Sequence, residues 1–131
     1  MKIRFIAFSL LLSSLAWAGQ KDVVIQLPEP QLDSSVSIEQ VLHQRRSVRS
    51  YKDQALDLKQ VGQLLWAAYG VTMPRTEPDF LRGGLRTAPS AGGRYPLDLY
   101  LAAGKVKGLK AGLYFYDSAN HALKLLAAGD Q

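Results

Sequence analysis

The sequence predicts an α+β domain built around one core, and three observations carry that expectation. Two capped amphipathic helices come early in the chain, a strand of alternating period follows a long stretch rich in glycine and proline, and a β-hairpin closes the sequence. No internal repeat or low-complexity tract interrupts this order.

The first element is a leader. Lys2 and Arg4 precede an apolar run from Phe5 to Leu15, and Ala16-Trp17-Ala18 then offers a small-x-small cleavage site before Gly19. Gly19, Gln20, Lys21 and Asp22 end the run short of the roughly 20 apolar residues that span a bilayer. The expectation is a secretion signal over residues 1–18, cleaved after Ala18, with no membrane span afterwards and a periplasmic or secreted location. Cleavage leaves 113 of the 131 residues, enough for one small domain.

Residues 19–36 carry Pro28 and Pro30 around Glu29, then Asp33-Ser34-Ser35, a composition that predicts an extended arm across the surface. Ser37 and Gln40 have capping-box spacing, and Ile38, Val41 and Leu42 repeat on one face, so a helix runs from Ser37 to about Arg45 or Arg46. Asp57 and Gln60 open a second helix in the same way. Its predicted buried stripe is Leu58, Val61, Leu64, Leu65, Ala68 and Tyr69, its stop is Gly70, and Gly62 marks a close helix contact. Residues 71–96 contain too many breakers for a regular element and read as a long functional loop. Leu97, Leu99 and Leu101 alternate with Asp98 and Tyr100 as a half-buried strand closed by Gly104. Leu113–Tyr116 and Ala122–Leu126 then pair across a five-residue turn, Asp117–His121.

Composition narrows the partners. The formal charge of +5 falls to +3 without Lys2 and Arg4, a small excess that argues against a nucleic-acid partner. There is no cysteine, and His43 and His121 lack metal-ligand spacing, so neither disulfides nor a metal site are expected.

Two polar clusters could carry chemistry. Arg45-Arg46-Ser47-Val48-Arg49-Ser50-Tyr51 follows the first helix, where cations also suit the helix dipole as an ordinary solvated end. The same residues, with forked donors and a hydroxyl, suit an anion such as a phosphate. Arg86-Thr87-Ala88-Pro89-Ser90-Ala91-Gly92-Gly93-Arg94-Tyr95-Pro96 leads into the Leu97 strand. Its paired glycines let a ligand approach the backbone closely, or simply make a turn. Neither the phosphate-loop nor the dinucleotide fingerprint is present.

Taken in order, Arg45-Arg46-Ser47-Val48-Arg49, Pro89-Ser90-Ala91-Gly92-Gly93-Arg94-Tyr95-Pro96 and Gly112-Leu113-Tyr114-Phe115-Tyr116-Asp117 resemble the nitroreductase superfamily of FMN flavoproteins, and in particular its SagB-type dehydrogenase branch. The resemblance runs from about Ser37 to the last residue. It implies a nitroreductase-like fold and hydride transfer between a small-molecule substrate and flavin N5. By position it implies that Arg45 and Ser47 hold the phosphate and ribityl side of FMN with Arg46 assisting, that Arg49 approaches the pyrimidine edge, and that Ser90, Gly92 and Gly93 line the other side of the flavin. Gly93 and Tyr95 stand where commoner members carry Asn and Gln, which points away from nitroaromatic substrates. No catalytic acid or base is assigned by the resemblance, and Tyr95 reads either as a substrate-side group or as a packed loop aromatic.

The fold so implied needs roughly twice the mature length. The expectation is therefore an N-terminal part of the domain, completed by homodimerisation or by a missing C-terminal half. The competing reading is a non-enzymatic anion- or peptide-binding module. The leader has no twin-arginine pair, so the chain is expected to cross the membrane unfolded, acquire FMN outside, and be reduced there by an organic substrate or a membrane partner rather than by a soluble nicotinamide.

Overall fold

The computed structural model describes residues 23–129; the predicted leader falls outside them. The principal layer is a four-stranded antiparallel sheet in the order β1-β6-β5-β4, with β1 at Val24–Gln26, β4 at Tyr100–Ala103, β5 at Gly112–Asp117 and β6 at Ala122–Ala128. A two-stranded ribbon pairs β2, Val71–Pro74, with β3, Gly84–Arg86. The helices are α1, Ile38–Gln44, and α2, Leu58–Tyr69.

The hairpin of β5 and β6 is the centre of the sheet. Burial alternates along β5, which turns Tyr114 and Tyr116 inward, and Leu123 lies opposite Tyr116 and is fully buried. The turn spans four residues, Ser118–His121, because Asp117 still pairs with Ala122 and belongs to the strand. Asp117 accepts hydrogen bonds from the Asn120 amide and side chain at 3.3 and 3.0 Å and meets Lys124 at 2.7 Å, which fixes the turn. Burial works against its charge, but hydrogen bonds from Lys124 and Asn120 hold Asp117 below the ordinary carboxylate range.

Helix α2 covers the inner face. Asp57 and Gln60 form the reciprocal capping box, with the Asp57 carboxylate accepting from the Gln60 amide at 2.8 Å and the Gln60 side chain accepting from the Asp57 amide at 3.0 Å. The buried residues are Val61, Gly62, Leu65 and Tyr69; Leu64 and Ala68, predicted in the stripe, are exposed. They flank a seam narrower than the periodicity suggested. Val61 and Leu65 meet Leu27, Ala103, Tyr114, Tyr116 and Leu123 in one cluster. The close contact at Gly62 is with the N-terminal segment: a side chain there would stand 3.5 Å from Leu27 and His121.

Two stretches without predicted pairing are paired. Within the arm, Val24–Gln26 adds the edge strand β1 to β6, with Ile25 opposite Leu123, and Leu27 is buried behind it. His121 pins the segment that follows. Its Nε2 lies 2.9 Å from the Pro28 carbonyl and must donate, so Nδ1 accepts from the Tyr116 hydroxyl at 2.9 Å. Within the predicted loop, β2 and β3 close a ribbon whose Gly84 has φ +142°, and a Cβ there would sit 2.3 Å from the Met73 carbonyl oxygen. The predicted Leu97 strand begins only at Tyr100, and Leu97 is exposed, although the Leu99 carbonyl still accepts from the Tyr116 amide at 2.9 Å.

Helix α1 is capped as the sequence predicts, with the Ser37 hydroxyl accepting from the Gln40 amide at 3.2 Å. It buries nothing. Ile38 is 70% exposed, and Val41 and Leu42 also face outward.

Candidate functional site

The ribbon delivers the second polar cluster to the end of α2. The Thr87 amide donates to the Gly70 carbonyl at 3.0 Å and its hydroxyl to the Trp66 carbonyl at 3.1 Å. The chain from Ala88 to Leu99 thereby folds over Ala68 and Tyr69 and lines an open cavity of about 450 Å³, walled by Ala88, Pro89, Ser90, Ala91, Pro96 and Leu97 among others. That volume is in the range of small-molecule sites, and the walls are mostly apolar.

Asp98 in the loop wall is paired with Arg82, and Ser90 is the other polar side chain there. Its oxygen accepts from the Tyr95 amide at 2.9 Å, which leaves the hydroxyl proton available to a ligand. Gly92 and Gly93 follow at φ +61° and +65°, and where a Gly92 side chain would stand the nearest atom is the Arg94 Cγ at 4.0 Å. The backbone is therefore open to a flat ligand.

Tyr95 is a packed aromatic, not a group projecting toward substrate. It is 5% exposed, and its ring meets the Tyr69 ring edge to face at 6.2 Å. Two arginines hold it. Arg82 donates to the Tyr95 carbonyl at 2.9 Å and pairs with Asp98 at 2.6 Å, while the Arg86 amide donates to the Tyr95 hydroxyl at 3.2 Å. The Arg86 guanidinium lies 4.4 Å over the Tyr69 ring and 5.3 Å from that of Tyr95, and it donates to the Arg82 carbonyl at 2.9 Å and to the Ser118 hydroxyl. Nearby, burial pushes the Tyr116 phenol up to about 12, against the opposing pull of the Arg86 cation. The sequence puts Arg86 at the head of the second polar cluster without a role of its own, and nothing in it singles out Arg82.

The first polar cluster stands elsewhere. Arg45 caps α1 through its amide, which donates to the Val41 carbonyl at 2.9 Å, and Arg46 donates to the His43 and Arg45 carbonyls at 2.8 Å. Residues 45–49 are exposed, and of the predicted cofactor residues Ser90 lines the cavity while Arg45, Arg46, Ser47, Arg49, Gly92 and Gly93 do not. The chemistry of each set fits part of FMN: forked cations and a hydroxyl for a phosphate on one side, and a mostly apolar cavity with the Ser90 hydroxyl on the other. Within one chain the structure does not bring the two sets together. Among the described residues no three metal-ligating side chains cluster, and no helix is long and apolar enough to cross a membrane.

Comparison with known proteins places this arrangement in a family. The model of the nitroreductase family matches residues 42–131. A protein of Methanocaldococcus jannaschii that carries a nitroreductase name is 39% identical over 99 residues, which are 76% of this chain and 44% of that protein. A crystal structure of a protein from Ralstonia eutropha JMP134, likewise named for nitroreductases, superposes with a TM-score of 0.65 at 43% identity, over 82% of this chain and 45% of the other. The chain thus spans less than half the length of these relatives, and its two helices and antiparallel sheet form part of their α+β fold. From the match across both polar clusters and the sheet, the chain belongs to the nitroreductase family.

Proposed function

We propose that the chain is the N-terminal part of an exported, FMN-dependent oxidoreductase of the SagB-type branch, acting on a small organic molecule. The observation that carries this reading is the cavity walled by Ala88, Pro89, Ser90 and Ala91, just before Gly92 and Gly93 in the chain and lying within the stretch that the family model matches. Arg45, Arg46, Ser47 and Arg49 would hold the phosphate, ribityl and pyrimidine side of the cofactor, and Ser90, Gly92 and Gly93 its opposite side. When bound, FMN supplies the redox chemistry by exchanging a hydride with substrate at N5.

The chain's own residues have three tasks in this reading. The arginines would hold the phosphate and place positive charge beside the flavin ring. The Ser90 hydroxyl donates one hydrogen bond while the Tyr95 amide fixes its oxygen. The Ala68, Pro89, Pro96 and Leu97 walls would give the ring an apolar surface to pack on, and a complementary wall would be needed to keep water out. Because the two sets are apart within one chain, a second copy or a C-terminal half supplies the complementary wall, and the exposed apolar face of α1 supports such a partner.

The alternative of a plain anion-binding module draws on the exposure of residues 45–49. One pair of substitutions separates the two. Arg45→Ala with Ser47→Ala should weaken FMN binding by about a hundredfold, the loss expected when charge-assisted phosphate contacts go. If those substitutions leave FMN affinity intact while abolishing inorganic phosphate binding, the module reading prevails.

A further inference from the structure

Arg82 does not line the cavity that Ser90 walls, yet it holds one stretch of that wall at both ends. One guanidinium nitrogen donates to the Tyr95 carbonyl at 2.9 Å, and the other meets the Asp98 carboxylate at 2.6 Å. Between these anchors lie Pro96 and Leu97, which with Asp98 and Leu99 form part of the wall. The Tyr95 anchor reaches the other stretch as well, because the Tyr95 amide donates to the Ser90 hydroxyl oxygen at 2.9 Å. Little else fixes residues 96–98. Strand β4 begins only at Tyr100, and Leu97 is 69% exposed, so neither pairing nor packing holds it. The Arg82 and Asp98 side chains are about two-fifths exposed, so water screens the pair and it adds little to global stability. Its consequence is placement.

We propose that Arg82 is a positioning residue for this cavity: its forked guanidinium fixes residues 96–98 relative to Ser90, so that a planar flavin ring packs on Pro96 and Leu97 while the Ser90 hydroxyl meets the ring's polar edge. A guanidinium offers two donors in a fixed geometry, which suits it to set the distance between a carbonyl and a carboxylate. A wall already in place spares the ligand the cost of ordering it. The proposal rests on the flavin reading for the identity of the ring, and adds to it a residue outside the cavity.

Lumiflavin carries the flavin ring without the ribityl phosphate, so its binding reports the Ser90 side independently of residues 45–49. The purified chain should quench lumiflavin fluorescence saturably and sharpen its visible band, as apolar surroundings do. Arg82→Ala should weaken that binding about tenfold and return the band toward its aqueous shape, with little change in unfolding midpoint. In hydrogen exchange the Tyr95 amide should lose protection while the β5 amides keep theirs. Asp98→Asn cuts the fork at one end only and should weaken lumiflavin binding about threefold, which keeps the test open should Arg82→Ala fail to fold. A wild-type chain that does not bind lumiflavin overturns the flavin reading and this proposal with it. Saturable wild-type binding with unchanged affinity in the variants overturns the proposal alone. So does a parallel loss of protection at Tyr95 and in β5, which would assign Arg82 to the fold as a whole.

Discussion

Tyr95 sits at φ +45°, a conformation that side-chain-bearing residues rarely adopt, and the contacts of Arg82, Arg86 and Ser90 hold it there. Its hydroxyl is the acceptor for the Arg86 amide, so Tyr95→Phe keeps the ring packing and strands a backbone donor. The expected loss is about 1–3 kcal/mol of stability, read by denaturant unfolding. Gly84 is constrained by space as well as by angle. Gly84→Ala drives a Cβ into the Met73 carbonyl and the Pro74 backbone, and should cost about 2 kcal/mol or more in the same measurement.

At the scale of elements, the two helices differ in what holds them. Helix α2 combines a capping box with a buried seam, so Asp57→Ala should remove about 1 kcal/mol of global stability. Helix α1 has a cap but no buried residue, and its amides should exchange with solvent much faster than those of α2 in hydrogen-exchange measurements on the isolated chain. The β5–β6 turn adds a pH dependence. Asp117 is held below its ordinary value of 3.8 in the folded chain, so its contribution is present above that value and is lost as pH falls through the folded one. Asp117→Asn should therefore flatten the acid limb of stability against pH.

Those same elements show what was legible. The α2 cap and the terminal hairpin follow from local spacing, and the structure has both. The edge strand β1 is three residues long beside two prolines, and no local pattern distinguishes it from an arm; its pairing comes from β6, nearly a hundred residues away. The ribbon of β2 and β3 is hidden because Pro74, Gly83 and Gly84 look like breakers, although Pro74 and Gly84 are paired in it. The α1 face was readable as apolar but not as uncovered, since periodicity reports that a face is to be buried, not by what. For the site, Ser90, Gly92 and Gly93 could be picked out from composition, whereas Arg86 gains its place only from two tyrosines that fold against it.

On the scale of the whole molecule, the chain carries a core of its own and a site open on one side. The four-stranded sheet and α2 close around Tyr114, Tyr116 and Leu123, while α1, the arginine cluster and the cavity face outward. If the leader exports the chain, the bound flavin should be reduced by an organic substrate or a membrane component. Stopped-flow reduction by NADPH should then be slow and unsaturated, and rapid saturable reduction would count against that donor assignment. The most direct test of the flavoprotein account is to purify the chain after incubation with FMN and record its visible absorbance, the flavin released on denaturation and its native mass. The account predicts a yellow protein that releases FMN and runs as a dimer; a colourless monomer that ignores added FMN would contradict it.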